Sequence, residues 1–445
     1  METRRFFSNP GVDEMPRTAD VIIIGGGPAG TAALWAIERA APGTRTVLIE
    51  QNSQLASGSS TASLENFRTC WPAPCLARLM QRSVDVFFNA EETLGDGARD
   101  ALGIKQQGYL FLAFNPGQAD LLKGDVEHLH RIGLQHVEYL DNAEVVYRFP
   151  WLGEHIVGAK YDPVAGWLDS HALVYQFVRN APSASILLDV ADVAIVVEHG
   201  RVTGVSIPNG DIAAPQVVIA AGANARRVGR TAGIELPVVA RPRQSFTTPW
   251  RHPEFPEDGP CVIGTSPFPH VRPEAQSGAI FGWEYDWNSK RLSPNGAPVR
   301  DALADPVWPV EQCKDVRFPS LVLALLARQF HHEDGRGFAD SRYLRGLDHR
   351  VGYYVYRDDS SAFFTGENGE RRPYVSQRAV IDSWPDIAGL TISVAHVGHG
   401  IMSAPAAGEI IASKLLDLPL TEPVFADFGL DVPWVEHDSG GISAN

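Results

Sequence analysis

Hydrophobic positions along this chain come in two textures. The first is short, unbroken runs of branched residues: Val21-Ile22-Ile23-Ile24, Thr46-Val47-Leu48-Ile49, Val217-Val218-Ile219 and Leu390-Thr391-Ile392-Ser393-Val394. Such runs read as strands buried on both faces, as in a parallel sheet. The second is apolar residues at helical spacing. Leu76, Leu79, Met80 and Phe87 share one face of a helix expected from about Pro74 to Ala90. From Gly108 a strand, Tyr109 to Phe114, precedes a helix near Gly117 to Ile132, then two short strands ending at Phe149-Pro150-Trp151. Ser170 or Asp169 caps a helix from His171 to Asn180. Strand texture returns at 192–197 and 201–205, with a tight turn at Asn209-Gly210. Residues 241–374 are rich in Pro, Trp and Tyr. They suggest irregular strands, among them a hairpin of Phe268–Glu274 with Ile280–Glu284 and a strand from His349 to Tyr356. The last strand leads through His396-Val397-Gly398-His399-Gly400 into a helix from about Ser403 to Leu416.

One turn carries chemistry. The Val21 strand runs into Gly25-Gly26-Gly27-Pro28-Ala29-Gly30 and then into good helix formers. In this spacing Gly25 makes the tight turn, Gly27 lets backbone approach a pyrophosphate, and Gly30 lets helix pack on strand. The phosphates then meet the free N–H groups at the helix N-terminus. Glu50, which ends the next strand, stands where a ribose-binding carboxylate belongs. Gln51 follows it at the same strand end. The turn at Gly398 repeats the pattern of strand, glycine turn and helix.

A chain of 445 residues predicts two domains, and 44% hydrophobic residues supply their cores. The net charge of −15 argues against nucleic acid and anionic membrane surfaces as partners. Cys70, Cys75, Cys261 and Cys313 are too scattered for a disulfide framework and read as reduced, cytoplasmic thiols. No apolar run approaches the ~20 residues of a membrane span. Met1 to Arg17 reads as a loose arm without a secretion signal. The run His331-His332-Glu333-Asp334 reads as solvated loop, and no metal is expected.

Five stretches together resemble the FAD-dependent D-amino-acid oxidase superfamily, on its sarcosine oxidase and glycine oxidase side. They are the Gly25 to Gly30 turn with Glu50, the Gly58-Ser59-Ser60 loop, Gly166-Trp167-Leu168-Asp169, Val217 to Ala223, and Gly398-His399-Gly400 with its helix. The stretch Gly58 to Arg68 and Phe149-Pro150-Trp151 are closest in texture to FAD oxidoreductases linked to complex I assembly. The resemblance implies an α/β fold. A Rossmann-like FAD-binding domain would be assembled from 18–107, 165–240 and 375–420. A mixed sheet with helices, from 108–164 and 241–374, would form the substrate domain, and 1–17 and 421–445 would be terminal arms. It also implies roles. Gly25, Gly27, Pro28, Ala29 and Gly30 would meet the pyrophosphate, Glu50 and Gln51 the adenosine ribose, and Val193 the adenine. Ser59 and Ser60 would face the flavin, with Ala221 and Gly222 approaching from the far side of the sheet. Gly398, His399, Gly400, Ile401 and Met402 would aim a helix N-terminus at the flavin pyrimidine.

Arg68 stands where sarcosine oxidases grip the substrate carboxylate, a task suited to a forked guanidinium. Tyr353, Tyr354 and Trp283 either line an aromatic pocket over the flavin or pack as core, and Arg272 is a further cation to weigh. Met402 replaces the lysine those oxidases carry after the turn. Ile280 falls where they carry the lysine that speeds reaction with oxygen. No cysteine lies between Gly352 and Arg357 and no histidine follows Gly58 directly, so the FAD is expected to be non-covalent. The expected reaction is oxidation of a C–N bond in a small amino acid or secondary amine, by hydride transfer to the flavin, with oxygen or another acceptor taking the electrons. Two alternatives stay open. One is a hydroxy-acid dehydrogenase using His399 or His349 as base. The other is a flavin-bound assembly protein without turnover.

Overall fold

The structure is a computed structural model that describes residues 5–11, 14–264, 269–283, 305–327, 330, 337–358, 363–365, 371–373, 376–432 and 435–437. Two large sheets organise it. The first has seven strands in the order Phe6–Ser8, Ser185–Leu188, Thr46–Ile49, Val21–Ile24, Val217–Ile219, Leu390–Val394, Val380–Ser383. Every neighbouring pair is parallel except the last. The unbroken apolar run at Val21–Ile24 is explained by cover on both faces. Val21 and Ile23 join a core with the helices Pro28–Ala40 and Gly400–Leu415. Ile22 and Ile24 join another with Val205 and Ile212, from the antiparallel meander Ala194–Glu198, Arg201–Ile207, Gly210–Ala213. The two helices approach closely at Gly408, where a Cβ would lie 2.4 Å from the Ala32 carbonyl oxygen.

The second sheet has eight strands in the order Asp348–Arg357, Val238–Thr248, Gly278–Trp283, His270–Glu274, Cys261–Gly264, Tyr109–Ala113, Gly158–Asp162, Glu138–Asp141. It is antiparallel except where Cys261–Gly264 pairs with Tyr109–Ala113, so it is mixed. The Phe318–Leu326 helix packs on it through a third core that holds Phe246, Phe281 and Val322.

Several local expectations change. Residues leading to Phe149 are a helix, Asn142–Arg148, not strand. A capping box explains it: the Asp141 side chain accepts from Glu144 N at 2.9 Å and Glu144 returns the bond to Asp141 N. The N-terminal arm is not loose, because Phe6–Ser8 extends the first sheet. At the other end, Phe425 and Phe428 of the 3-10 helix Pro423–Phe428 are buried. Asp169, rather than Ser170, caps the Ser170–Arg179 helix through Ala172 N at 2.8 Å. The hairpin is His270–Glu274 with Gly278–Trp283; Phe268, Glu284 and the His331–Asp334 run lie outside the described residues. No helix among the described residues is long and apolar enough to cross a membrane.

Candidate active site

Both glycine turns open on one cavity of about 680 Å³, within the roughly 300–1,000 Å³ usual for ligand pockets. Gly25, Gly27, Pro28, Ala29, Glu50 and Gln51 line one end. Gly58, Ser59, Ser60, Val193, Ala221 and Gly222 line its length. Gly398, Gly400 and Ile401 line the other end, with Tyr353 and Tyr354 entering from the second sheet.

Three glycines serve three needs. Gly25 has φ +119°, and a Cβ there would lie 2.3 Å from the Ala220 carbonyl oxygen. At Gly30 it would lie 2.0 Å from the Gly25 carbonyl oxygen, so Gly30 packs the turn and stays out of the cavity wall. Gly27 differs: its φ of −82° is ordinary and nothing lies within 4 Å of a Cβ. It keeps room open toward the cavity. The helix it begins has no side-chain cap, and neither has the one begun by His399. Two helix N-termini with free N–H groups therefore point their positive ends at one cavity. Glu50 is buried; its Oε2 accepts from Gly26 N at 2.7 Å and its Oε1 from Asn52 N and Nδ2 at 2.9 and 2.8 Å. Burial pushes its carboxyl upward, against these bonds.

The C-terminal turn is strained. Ala395 and Val397 have φ of 60° and 50°, a conformation costly for a β-branched residue. Val397 N bonds the Val355 carbonyl at 2.9 Å. The ring of His396 is held between Ser393 Oγ (2.9 Å from Nε2) and Ser403 Oγ (3.4 Å from Nδ1). Gly398 makes room for Tyr354, whose ring would lie 2.5 Å from a Cβ there.

Arg68, His399 and Met402 do not line this cavity, contrary to the sequence reading. At the turn, Gly398, Gly400 and Ile401 face the cavity, and the side chains of His399 and Met402 pack behind it. Met402 is buried in the helix-side core. The His399 ring meets Trp71 edge-on, with centroids 4.2 Å apart. The guanidinium carbon of Arg68 sits 3.8 Å from the Trp71 ring centroid and 5.1 Å from that of Phe111. Arg68 is 5% exposed. Burial first, and then the Arg68 charge, drive the imidazoles of His399 well below their ordinary value and of His270 to about 4. His270 borders a small second cavity with Ser59, Leu64, Gln244, Trp283 and Tyr354.

Asp162 organises this cluster. Fully buried on the second sheet, its Oδ2 accepts from Thr69 N (2.9 Å), Thr69 Oγ1 (3.0 Å) and Cys70 N (3.1 Å). It thereby holds the two residues between Arg68 and Trp71. Burial pushes its carboxyl up, but His136 and the Thr69 bonds outweigh that and hold it below the ordinary range.

Other expected site groups are occupied elsewhere. The Tyr353 hydroxyl accepts from Val307 N at 2.9 Å and donates to Val307 O at 2.7 Å, so it clamps a backbone. Arg272 donates to the Leu64 carbonyl (2.9 and 2.8 Å) and to Asn66 Oδ1, pairs with Glu274, and stacks over Trp167. It is a structural cation. Ile280 is a buried strand residue between Thr247 and Arg272. His349 sits 3.1 Å from Gln244 Oε1 and stacks on Phe318. The sequence reading missed Trp71, Asp162, Asn52 and the pair Asn224–Trp308, in which the indole of Trp308 donates to Asn224 Oδ1 at 3.0 Å on the cavity wall. Only Asn52, two residues past Glu50, had a signal in the sequence, as an Asx residue at a strand end.

The family model for FAD-dependent oxidoreductases, DAO, matches residues 20–414. The chain belongs to this family. It is 26% identical over 290 residues to the sarcosine oxidase subunit beta of Rhizobium meliloti (strain 1021), covering 63% of this chain and 67% of that one. It is 26% identical over 245 residues to the mitochondrial dimethylglycine dehydrogenase of Rattus norvegicus, covering 54% of this chain but 28% of that one. This chain thus matches about a quarter of that relative's length. The crystal structure of L-proline dehydrogenase from P. horikoshii superposes with a TM-score of 0.73 at 21% identity, covering 93% of this chain and 97% of that one. The family cofactor is FAD. The cleft fits it: open space beside Gly27, two uncapped helix N-termini and a buried carboxylate are the partners a dinucleotide needs.

Proposed function

We propose that this FAD-dependent oxidoreductase oxidises a C–N bond of a small amino acid or secondary amine, with FAD held non-covalently. In this reading Gly25, Gly27, Pro28 and Ala29 meet the phosphates, Glu50 and Gln51 the ribose, and Val193 the adenine. Ser59, Ser60, Ala221, Gly222, Gly398, Gly400 and Ile401 meet the remainder, and the first and second sheets belong to the FAD-binding and substrate domains. FAD bound there supplies the two-electron acceptor. The relatives support the substrate class, since their names denote enzymes of N-methylated or cyclic amino acids.

The charge pattern behind the C-terminal turn carries the reading. Arg68 is a buried cation among rings, and the imidazoles nearest it are held neutral by burial. That surrounding suits a carboxylate at Arg68 and lowers the pKa of an entering ammonium, so the amine gives up its proton before reaction. A hydroxy acid would need a base for its hydroxyl proton. His399 is depressed too far to serve well, and His349 is committed to Gln244 and Phe318. The resemblance expects the oxygen-activating lysine at Ile280, and an apolar residue there favours an acceptor other than oxygen, because superoxide would lack a stabilising cation. Free thiols at all four cysteines suit a reducing, cytoplasmic setting.

The test is an anaerobic panel of amino acids, amines and hydroxy acids, followed by bleaching of the flavin absorbance. Bleaching by amines with a carboxylate is the expected result. Bleaching by hydroxy acids alone would overturn the reading, and no bleaching by any compound would favour an assembly role. Acid precipitation of the holoenzyme should leave the yellow colour in the supernatant.

A further inference from the structure

We infer that the indole N–H of Trp71 is a second donor to the substrate carboxylate, acting beside Arg68 and setting a preference for carboxylated amines. This rests on the function proposed above. Its observation is separate: Trp71 is 1% exposed, and its Nε1 has no hydrogen-bond partner among the described residues. A buried indole N–H normally finds an acceptor, and one without pays the desolvation cost. The missing acceptor belongs to something that arrives.

The surroundings say what arrives. The guanidinium of Arg68 lies against the indole ring at 3.8 Å. An acceptor brought to this corner therefore meets a cation and a neutral donor together, which suits an anion with two oxygens. Of the side chains around it, Met402 has no donor, the His399 ring is bonded to the Gln377 backbone, and buried Lys160 is paired with Asp125. The pair is also preorganised. Asp162 fixes Thr69 and Cys70 through three hydrogen bonds, so the segment from Arg68 to Trp71 needs no ordering when a ligand enters.

Trp71→Phe keeps a ring under Arg68 and deletes the N–H. Holoenzymes of wild type, Trp71→Phe and Arg68→Ala are titrated with N-methylglycine, L-proline and anthranilate, and with their decarboxylated analogues dimethylamine, pyrrolidine and aniline. Flavin absorbance shifts read the binding of ligands that do not reduce the flavin, and the concentration dependence of anaerobic bleaching reads that of ligands that do. In Trp71→Phe, carboxylates should bind about tenfold more weakly or worse, as for loss of a hydrogen bond to a charged group, and the analogues should be unaffected. An equal loss for both ligand classes, or unchanged carboxylate affinity, would each overturn the inference. Trp71→Tyr, which keeps a ring but moves the donor, repeats the measurement if Trp71→Phe does not fold. If Arg68→Ala loses the carboxylate preference while Trp71→Phe keeps it, the inference fails and the proposed function stands. If Arg68→Ala also keeps it, or no carboxylate binds wild type, the proposed function fails and the inference with it.

Discussion

The two ends of the site are built from different material. At the Gly25–Glu50 end the backbone does the work: a left-handed glycine, a glycine beside open space and an uncapped helix N-terminus, with one carboxylate. Behind the Gly398 turn side chains do it, and they come from separate segments: Arg68 and Trp71, Asp162, His270, His399. A backbone-built end admits few sequences, since only glycine meets its steric terms. A side-chain-built end can be re-equipped one residue at a time. In the function proposed, that is where substrate choice would be set.

The largest effect should come from breaking the backbone-built end. Gly27→Val should abolish FAD binding while the apoprotein folds, because its φ is ordinary and its Cβ enters space only a ligand fills. Equilibrium dialysis with FAD and a thermal melt check both halves. Gly30→Val should instead lose the fold, since it strikes the Gly25 carbonyl. At the other end, Arg68→Ala should leave flavin content near wild type but weaken carboxylated substrates, removal of one partner of such a pair costing about 2–5 kcal/mol. Arg68→Lys should recover part of that. The reductive rate constants for a carboxylated amine and its decarboxylated analogue report it, and equal losses for both would remove Arg68 from the site.

Acid should separate the ends more gently. Residues 1–60 contain no histidine, whereas His270, His396 and His399 all have imidazoles pushed down by burial. Their unfolded forms bind protons first, so stability should be intact above about pH 6.5 and fall as pH drops toward 4. Buried His270 alone should account for about 1.4 kcal/mol per pH unit across that window. Melting temperatures between pH 7.5 and 5 test this, and His270→Gln should flatten the curve. A flat wild-type curve would contradict it. The smallest effect should be at Ile280. Reduced wild-type enzyme should reoxidise slowly in air-saturated buffer, as stopped-flow absorbance can follow. Rapid reoxidation would show that oxygen needs no cation there.

The same division explains what was readable in the sequence. Strand, turn and acid at 21–50 were legible because sterics tie glycine spacing to geometry. The cavity wall near Ser59 and Gly398 was legible through its turns, and Val193 only through the family resemblance. The position of His399 was not, because whether a turn offers its side chain or its backbone to a cavity depends on dihedrals such as the positive φ of Ala395 and Val397. Trp71 and Asp162 are 91 residues apart (162 − 71) and no periodicity links them; the pairing of Asn66–Phe67 with Gly166–Trp167 and the bonds from Thr69 and Cys70 to Asp162 bring their segments together. The helix at Asn142–Arg148 was hidden in a polar stretch, although its Asp141 and Glu144 caps were in plain sight.

The strand order of the first sheet also fixes a timetable. Its centre sets Val217–Ile219 between Val21–Ile24 and Leu390–Val394. A growing chain makes the Gly25–Gly30 turn more than 350 residues (390 − 30) before residue 390 and beyond supply the far wall of the cavity. Contacts of such long sequence separation form slowly. With FAD held as proposed, cofactor capture should be a late event in the life of each molecule, drawing the unfinished population to the native state by mass action. Cells short of riboflavin should accumulate less of this protein, not merely less active protein. Pulse–chase yield with and without added flavin measures that dependence.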